Sequence, residues 1–321
     1  MSPTKYTDLE HESEDRMAPL VEMLWPAGES GIISGPPEVG KTWYAFAEAI
    51  GLALGLPVLS AFGVPARKRV LFYEEEGRED ANRRRVRAML RAHGASERLH
   101  ELTEWFKLVS FHGLVLCDPE HVAELGRVIE DSRAEIVYLD SFFRMMPGQD
   151  LSGNKAPTQA LNHLDALARR HGVVFRIVHH DTKAGDSLYG SQALMAWRRD
   201  GLQISEGGDI RYQGNNAGPV LLGRMRLEFD EATKALTSGR CEPIAPAEFK
   251  IAQALTEVPA SVDAIAKLAK VSASSAGHIL PKLVASRLAD VVMAPSTGGR
   301  PARLYRRPVA SGTAGSLLVN G

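Results

Sequence analysis

The sequence predicts an α/β fold in which a largely parallel sheet is flanked by helices and followed by a smaller helical domain. Three observations predict it. Short continuous apolar runs recur at Ser30–Ser34, Val70–Tyr73, Ala134–Asp140 and Val173–Val178, the pattern of strands buried on both faces. Helical patterns lie between them, as parallel strands require for their crossovers. Beyond about Leu202 the pattern first alternates and then, from Ala247, becomes helical again.

Each element has a local reason. Residues 1–20 carry Asp8, Glu10, Glu12, Glu14 and Asp15 against Lys5 and Arg16, an acidic tail with no apolar leader segment. Ala49 to Ala66 carries no charge, but Gly51, Gly55, Pro57, Gly63 and Pro65 interrupt it. It reads as the end of a buried helix entering a loop, not as a membrane span. Arg83, Arg84, Arg85, Arg87 and Arg91 read as one charged helix face. Asp118 and Pro119 open a helix with Val122, Leu125, Val128 and Ile129 on one side. Pro157 opens another, with Leu161, Leu164 and Leu167 inward and Gly172 just past its end.

Ile204, Ile210, Tyr212 and Val220–Phe229 alternate like antiparallel strands, with 230–234 as a turn. Cys241–Pro246 reads as a linker. Ala247–Leu255, Val262–Lys270 and Ser272–Leu288 read as helices, and Val291–Met293 with Arg303–Arg306 as a hairpin. The expected organisation is a tail over 1–20, an α/β domain over 21–240, a small domain over 241–308 and a second tail over 309–321.

Composition narrows the function. The chain has 321 residues, 44% hydrophobic and 24% charged, enough for two packed domains and incompatible with disorder. Its 38 basic and 39 acidic residues exclude a uniformly basic nucleic-acid coat protein. The charge is uneven, however: 241–310 holds nine Lys or Arg against five Asp or Glu, which points to nucleic acid at the C-terminal end. Cys117 and Cys241 lie far apart without metal-ligand spacing, so a disulfide scaffold is excluded and a reducing cytoplasm is expected.

One motif carries the chemistry. Gly35-Pro36-Pro37-Glu38-Val39-Gly40-Lys41-Thr42 fits G-x-x-x-x-G-K-[ST]. Backbone N–H groups of such a loop converge on phosphate oxygens, and the helix expected from Trp43 adds its positive end. Lys41 would reach the β- and γ-phosphates and Thr42 would offer a hydroxyl to Mg²⁺. Glu38 must point away from the anion.

Hydrolysis needs two further carboxylates. Asp140 ends the run IVYLD at a strand tip, where it would orient Mg²⁺. The base is expected at Glu76, with Glu74 or Glu75 as the alternatives in the run VLFYEEE. His179 and His180 end the fourth strand; His180 would sense the γ-phosphate, and the pair lacks a third ligand for a metal.

Together these residues resemble the RecA-like ATPases and, among them, the RepA-like plasmid replicative helicase family. The stretches that carry the resemblance are LWPAGESGIISGPPEVGKT, VLFYEEEG, IVYLDSFFR, IVHHDTK and LYGSQALMAWRR, between Leu24 and Arg199. The resemblance implies a RecA-like core, a hexameric ring or related assembly, and nucleotide sites between subunits. It places the phosphate-loop lysine and hydroxyl at Lys41 and Thr42, the catalytic glutamate at Glu76, the metal aspartate at Asp140 and the sensor at His180. It also implies an arginine reaching into the neighbour's site, at Arg199 or its competitor Arg198. Two loops would face a central pore, one from Arg144 to Pro157 and one from Asp181, with Lys155 and Lys183 as their only lysines.

The C-terminal pattern resembles a winged helix-turn-helix. Ser272 would cap its recognition helix, Ser274, Ser275, His278 and Lys282 would face outward, and Pro281 would kink it. Arg300, Arg303, Arg306 and Arg307 would make the wing basic. The leading expectation is an ATPase using ATP and Mg²⁺ to move along or unwind DNA, single strands through the motor and duplex at the winged helix. The alternatives are a recombination or loading ATPase without unwinding, and a nucleotide-responsive DNA-binding regulator.

Overall fold

In a computed structural model, the described residues are 19–22, 24–25, 28–181, 192–197, 200–214, 220–229, 236–242, 246–285, 288–294 and 302–308. The core elements are β1 (Gly31–Gly35), α1 (Lys41–Leu54), β2 (Val70–Glu74), α2 (Glu79–Ala92), α3 (Leu99–Trp105), β3 (Phe106–Ser110), α4 (Pro119–Ser132), β4 (Ile136–Asp140), α5 (Lys155–His171), β5 (Val174–His180) and α6 (Gln192–Trp197). Four strands follow: β6 (Asp200–Ile204), β7 (Asp209–Gly214), β8 (Val220–Phe229) and β9 (Leu236–Glu242). They form one sheet in the order β3-β2-β4-β5-β1-β6-β7-β8-β9. The strands from β3 to β6 run parallel, and β7, β8 and β9 extend the sheet antiparallel.

The apolar runs explain the layering. Adjacent residues point to opposite faces, so Ile32, Leu71, Val137 and Ile177 join one buried cluster with α4 and α5. Ile33, Phe72, Tyr138 and Val178 join the other, beneath α1. There Phe72 stacks on Phe46 at 4.4 Å and on Tyr138 at 5.2 Å between ring centroids. α4 is capped as expected, Asp118 accepting the Glu120 N–H with Pro119 in the first turn. α5 starts at Lys155, two residues before the expected Pro157.

Several expectations are corrected. β3 was not expected, because only Phe106 of its residues is buried. β6 pairs antiparallel with β7 as expected, Ile204 opposite Ile210, but it also joins the parallel set beside β1, which was not expected. The residue at the end of the acidic tail, Leu20, is buried with Val21, Leu24 and Trp25. Residues 1–18 lie outside the described residues.

The run VVFRIV hides a charge. Arg176 is fully buried 3.7 Å from the buried carboxylate of Glu48 in α1. Its guanidinium lies 3.9 Å over the Trp25 ring and donates to the Glu29 carbonyl at 2.7 Å. Glu48 in turn accepts from Trp25, Tyr44 and Tyr138. Burial, then Glu48, push both phenols well above their usual range.

Three more helices, α7 (Pro246–Ala254), α8 (Val262–Ala269) and α9 (Ala273–Ala285), are followed by the antiparallel pair β10 (Asp290–Met293) and β11 (Arg303–Arg306). β9 runs through Cys241 and Glu242 and α7 begins at Pro246, all within the expected linker, whose residues 243–245 lie outside the described residues. Cys241 N–H donates to Leu59 O at 2.9 Å. Ile251, Leu255, Ile265, Leu280 and Tyr305 are buried in the same apolar cluster as α1. Ser272 caps α9 through the Ser275 N–H, and the helix continues through Pro281 to Ala285. Among the described residues, no helix is long and apolar enough to cross a membrane.

Candidate active site

The phosphate loop joins β1 to α1. Gly35 ends β1 so close to β6 that a Cβ would stand 2.2 Å from the Ile204 carbonyl. Gly40 (φ 94°) caps α1 in the left-handed region, where glycine carries no steric penalty. Glu38 also takes a left-handed backbone (φ 64°) and, like Pro37, is exposed. Pro36 and Val39 are half-buried. α1 begins at Lys41, earlier than the expected Trp43. Trp43 is half-buried, with the Arg85 guanidinium 5.9 Å from its ring.

Lys41 is buried, and its ammonium donates to the Pro36 carbonyl at 2.6 Å. Burial lowers its pKa, opposed by Asp140, Asp181 and Glu76. The bond to the Pro36 carbonyl holds the Lys41 side chain against the loop.

Asp140 ends β4 and is 1% exposed. Burial pushes its carboxyl up to about 7, with Glu74 and Glu76 adding to the rise and the Thr42 hydroxyl, as hydrogen-bond donor, opposing it. Its Oδ2 is buried without a hydrogen-bond partner among the described residues. A buried carboxylate oxygen without a donor, beside a hydroxyl, fits a hard divalent cation completed by phosphate and water. Thr42 and Asp140 are the residues that would hold Mg²⁺. No group of three or more His, Cys, Asp or Glu suited to a metal occurs among the described residues.

The three glutamates separate by what they touch. β2 ends at Glu74. That carboxylate is buried, accepting from Gly77 N–H and Asn82 and lying 3.5 Å from Arg85. Glu75 accepts from the Gly113 and Leu114 N–H groups at 2.8 and 3.2 Å. Glu76 faces the site instead. Its Oε1 accepts from Ser141 Oγ at 2.6 Å and lies 4.0 Å from His180 Nε2. His180, then Ser141 and Arg144, hold its carboxyl down to about 2 against the opposing effect of burial.

The strand exits are tied together by peptide groups. Glu75 N–H donates to Asp140 O at 2.6 Å, Phe142 N–H to Val178 O at 3.0 Å, and Asp181 N–H to Gly35 O at 3.0 Å. Gly35 pairs with His180, and Glu74 with Asp140, across the ladders. Lys41, Thr42, Glu76, Asp140 and His180 thus share the C-terminal edge of the sheet, where parallel α/β proteins bind ligands. His179 points the other way, buried edge-on to Phe142.

The expected arginine face of α2 is divided. Arg83 and Arg84 pair with Glu79 and Asp80 on the surface, while Arg85 turns inward to Glu74. The loop after β4 is partly core, with Met145, Met146 and Leu151 buried. Arg198, Arg199, Lys183 and most of the second expected pore loop lie outside the described residues. Sequence reasoning missed Ser141, the neighbour of Asp140, and Asp181, which follows the His pair and accepts from Gln203 at 2.8 Å.

Residues 2–186, more than half of the chain, match the AAA domain family AAA_25. The chain belongs to this AAA domain family. Its AAA domain is a P-loop ATPase domain. Among solved structures, a KaiC-like protein of the hyperthermophilic archaeon Pyrococcus horikoshii is similar. It is 15% identical with a TM-score of 0.45, over 71% of this chain and 97% of that one. No curated protein matches the chain.

Proposed function

We propose that this AAA domain protein hydrolyses ATP with Mg²⁺ to drive movement on DNA, as a helicase or translocase of a plasmid, phage or other mobile element. The observation that carries the ATPase chemistry is the convergence of Lys41, Thr42, Asp140 and Glu76 at one sheet edge, with Glu74 and Glu75 engaged elsewhere. Backbone N–H groups of the loop Gly35–Trp43, Pro36 and Pro37 excepted, cradle the phosphates, and Lys41 neutralises charge on the transferring group. Mg²⁺, held by Thr42 and Asp140, supplies further charge neutralisation when bound. Glu76, ionised at neutral pH, takes the proton of the attacking water. His180, beside Glu76, senses the γ-phosphate.

DNA coupling rests on the C-terminal region. Three helices followed by two antiparallel strands support the reading as a winged helix, as do Ser274, His278 and Lys282 on the exposed side of α9. Two arginines of the expected wing are engaged in ion pairs: Arg306 lies 3.8 Å from Asp290, and Arg307 3.8 Å from Glu22. Assembly into a ring, with Arg199 or Arg198 completing the neighbour's site, belongs to the same proposal.

The test is ATP turnover by the full chain with and without single-stranded DNA, beside strand displacement. Stimulated turnover with displacement supports the helicase; stimulation without displacement supports a loading or recombination ATPase. ATP-independent, sequence-specific duplex binding without stimulation supports a regulator. Lys41→Ala should abolish nucleotide binding or turnover. Glu76→Gln should bind ATP and lose turnover by about a hundredfold or more, and normal turnover would remove Glu76 as base. Mixed Arg199→Ala and Glu76→Gln proteins should recover activity at hybrid interfaces; no recovery would withdraw the trans-acting arginine.

A further inference from the structure

We propose that Ser141 is the positioning residue of the hydrolytic glutamate, selecting which carboxylate oxygen of Glu76 receives the proton; this rests on the reading of Glu76 as the base. Ser141 is 2% exposed, and its hydroxyl donates to Glu76 Oε1 at 2.6 Å. Its backbone has little room to move. The Ser141 carbonyl accepts from Arg144 N–H at 3.1 Å, and the next residue, Phe142, donates to Val178 O at 3.0 Å. The hydroxyl is therefore fixed to the tip of β4, one residue from Asp140.

Glu76 itself follows the end of β2, and its side chain is 38% exposed. Such a carboxylate rotates readily unless something holds it. Ser141 and His180 both address Oε1, which leaves Oε2 without a hydrogen-bond partner among the described residues. The oxygen that accepts no hydrogen bond is the more basic one. Oε2 takes the proton from water, and the hydroxide equivalent attacks the phosphorus as the phosphoanhydride bond to the leaving diphosphate breaks. Ser141 stays protonated and bonded to Oε1 throughout.

Ser141→Ala should lower kcat by about tenfold to a hundredfold, while KM and the affinity for a non-hydrolysable ATP analogue change less than about twofold. Ser141→Thr, which keeps the hydroxyl, should restore turnover. Ser141→Cys, close in size with a weak donor, should fall between Ser and Ala. In a Glu76→Gln background, Ser141→Ala should leave the residual rate unchanged. Wild-type turnover by Ser141→Ala, or an equal further loss in the Glu76→Gln background, would overturn the proposal. So would parallel loss of nucleotide affinity. Normal turnover by Glu76→Gln would instead remove the base assignment on which the proposal stands.

Discussion

Asp140 is pulled in two directions, because burial favours its neutral form while a cation site needs its charge. Its carboxyl titrates near 7 where an ordinary aspartate titrates at 3.8. Between those values the folded chain holds a proton that the unfolded chain has released, so stability falls as pH rises from about 4 to about 7. The effect is bounded at about 4 kcal/mol, from ~1.4 kcal/mol per pH unit. Glu76, held near 2, has the opposite sign: the stability it lends is present above about 4.5 and is lost as pH falls towards 2. Asp140→Asn should therefore flatten the nucleotide-free melting temperature between pH 4 and 7 and raise it above wild type beyond pH 7. Melting curves across that range decide it, and an unchanged slope would assign the pH dependence to other groups. Which glutamate faces the site was not legible in the run of three. That depends on β2 ending at Glu74 and on Gly77, Gly113 and Leu114 claiming the other two carboxylates.

At the scale of elements, the close approach of β1 to β6 limits the phosphate loop. Gly35→Ala would drive a methyl group against the Ile204 carbonyl, 2.2 Å from its ideal position. The strands must separate, at a cost of about 1–3 kcal/mol, and an ATP-analogue titration should show weakened binding. A second constraint lies beneath, where Glu48 and Arg176 tie α1 to β5. Glu48→Ala leaves a buried guanidinium uncompensated and should cost about 3–5 kcal/mol in urea denaturation; Glu48→Met with Arg176→Met should recover most of it. A double variant no more stable than the single one would deny the pairing. The strands buried on both faces were legible because, Arg176 apart, the residues at their centres are apolar. β3 was not, since one buried phenylalanine gives no period, and Arg176 gives no outward sign of its buried partner.

At the scale of the molecule, the C-terminal helices pack as part of the main body. Ile251 and Leu255 of the α7 region share an apolar cluster with α1 and the sheet, and Arg307 reaches Glu22. A surface ion pair contributes little, so apolar burial is the main attachment. Protease cleavage engineered between Glu242 and Pro246 should leave the two fragments co-eluting on gel filtration until denaturant is added. Separation under native conditions would make the region an independent appendage. The composition shift near Pro243 and Pro246 marked a change of secondary structure correctly, but composition cannot register packing across it.

The crosswise backbone hydrogen bonds from Glu75 to Asp140, Phe142 to Val178 and Asp181 to Gly35 make the catalytic rim a stitched seam. Displacing one strand exit tugs on the next, so a shift at the phosphate loop is carried to β5 by main chain. Alanine scanning leaves every stitch intact and would portray the rim as a set of independent side chains. Only proline at 75, 142 or 181, which removes the donating N–H, would unpick it.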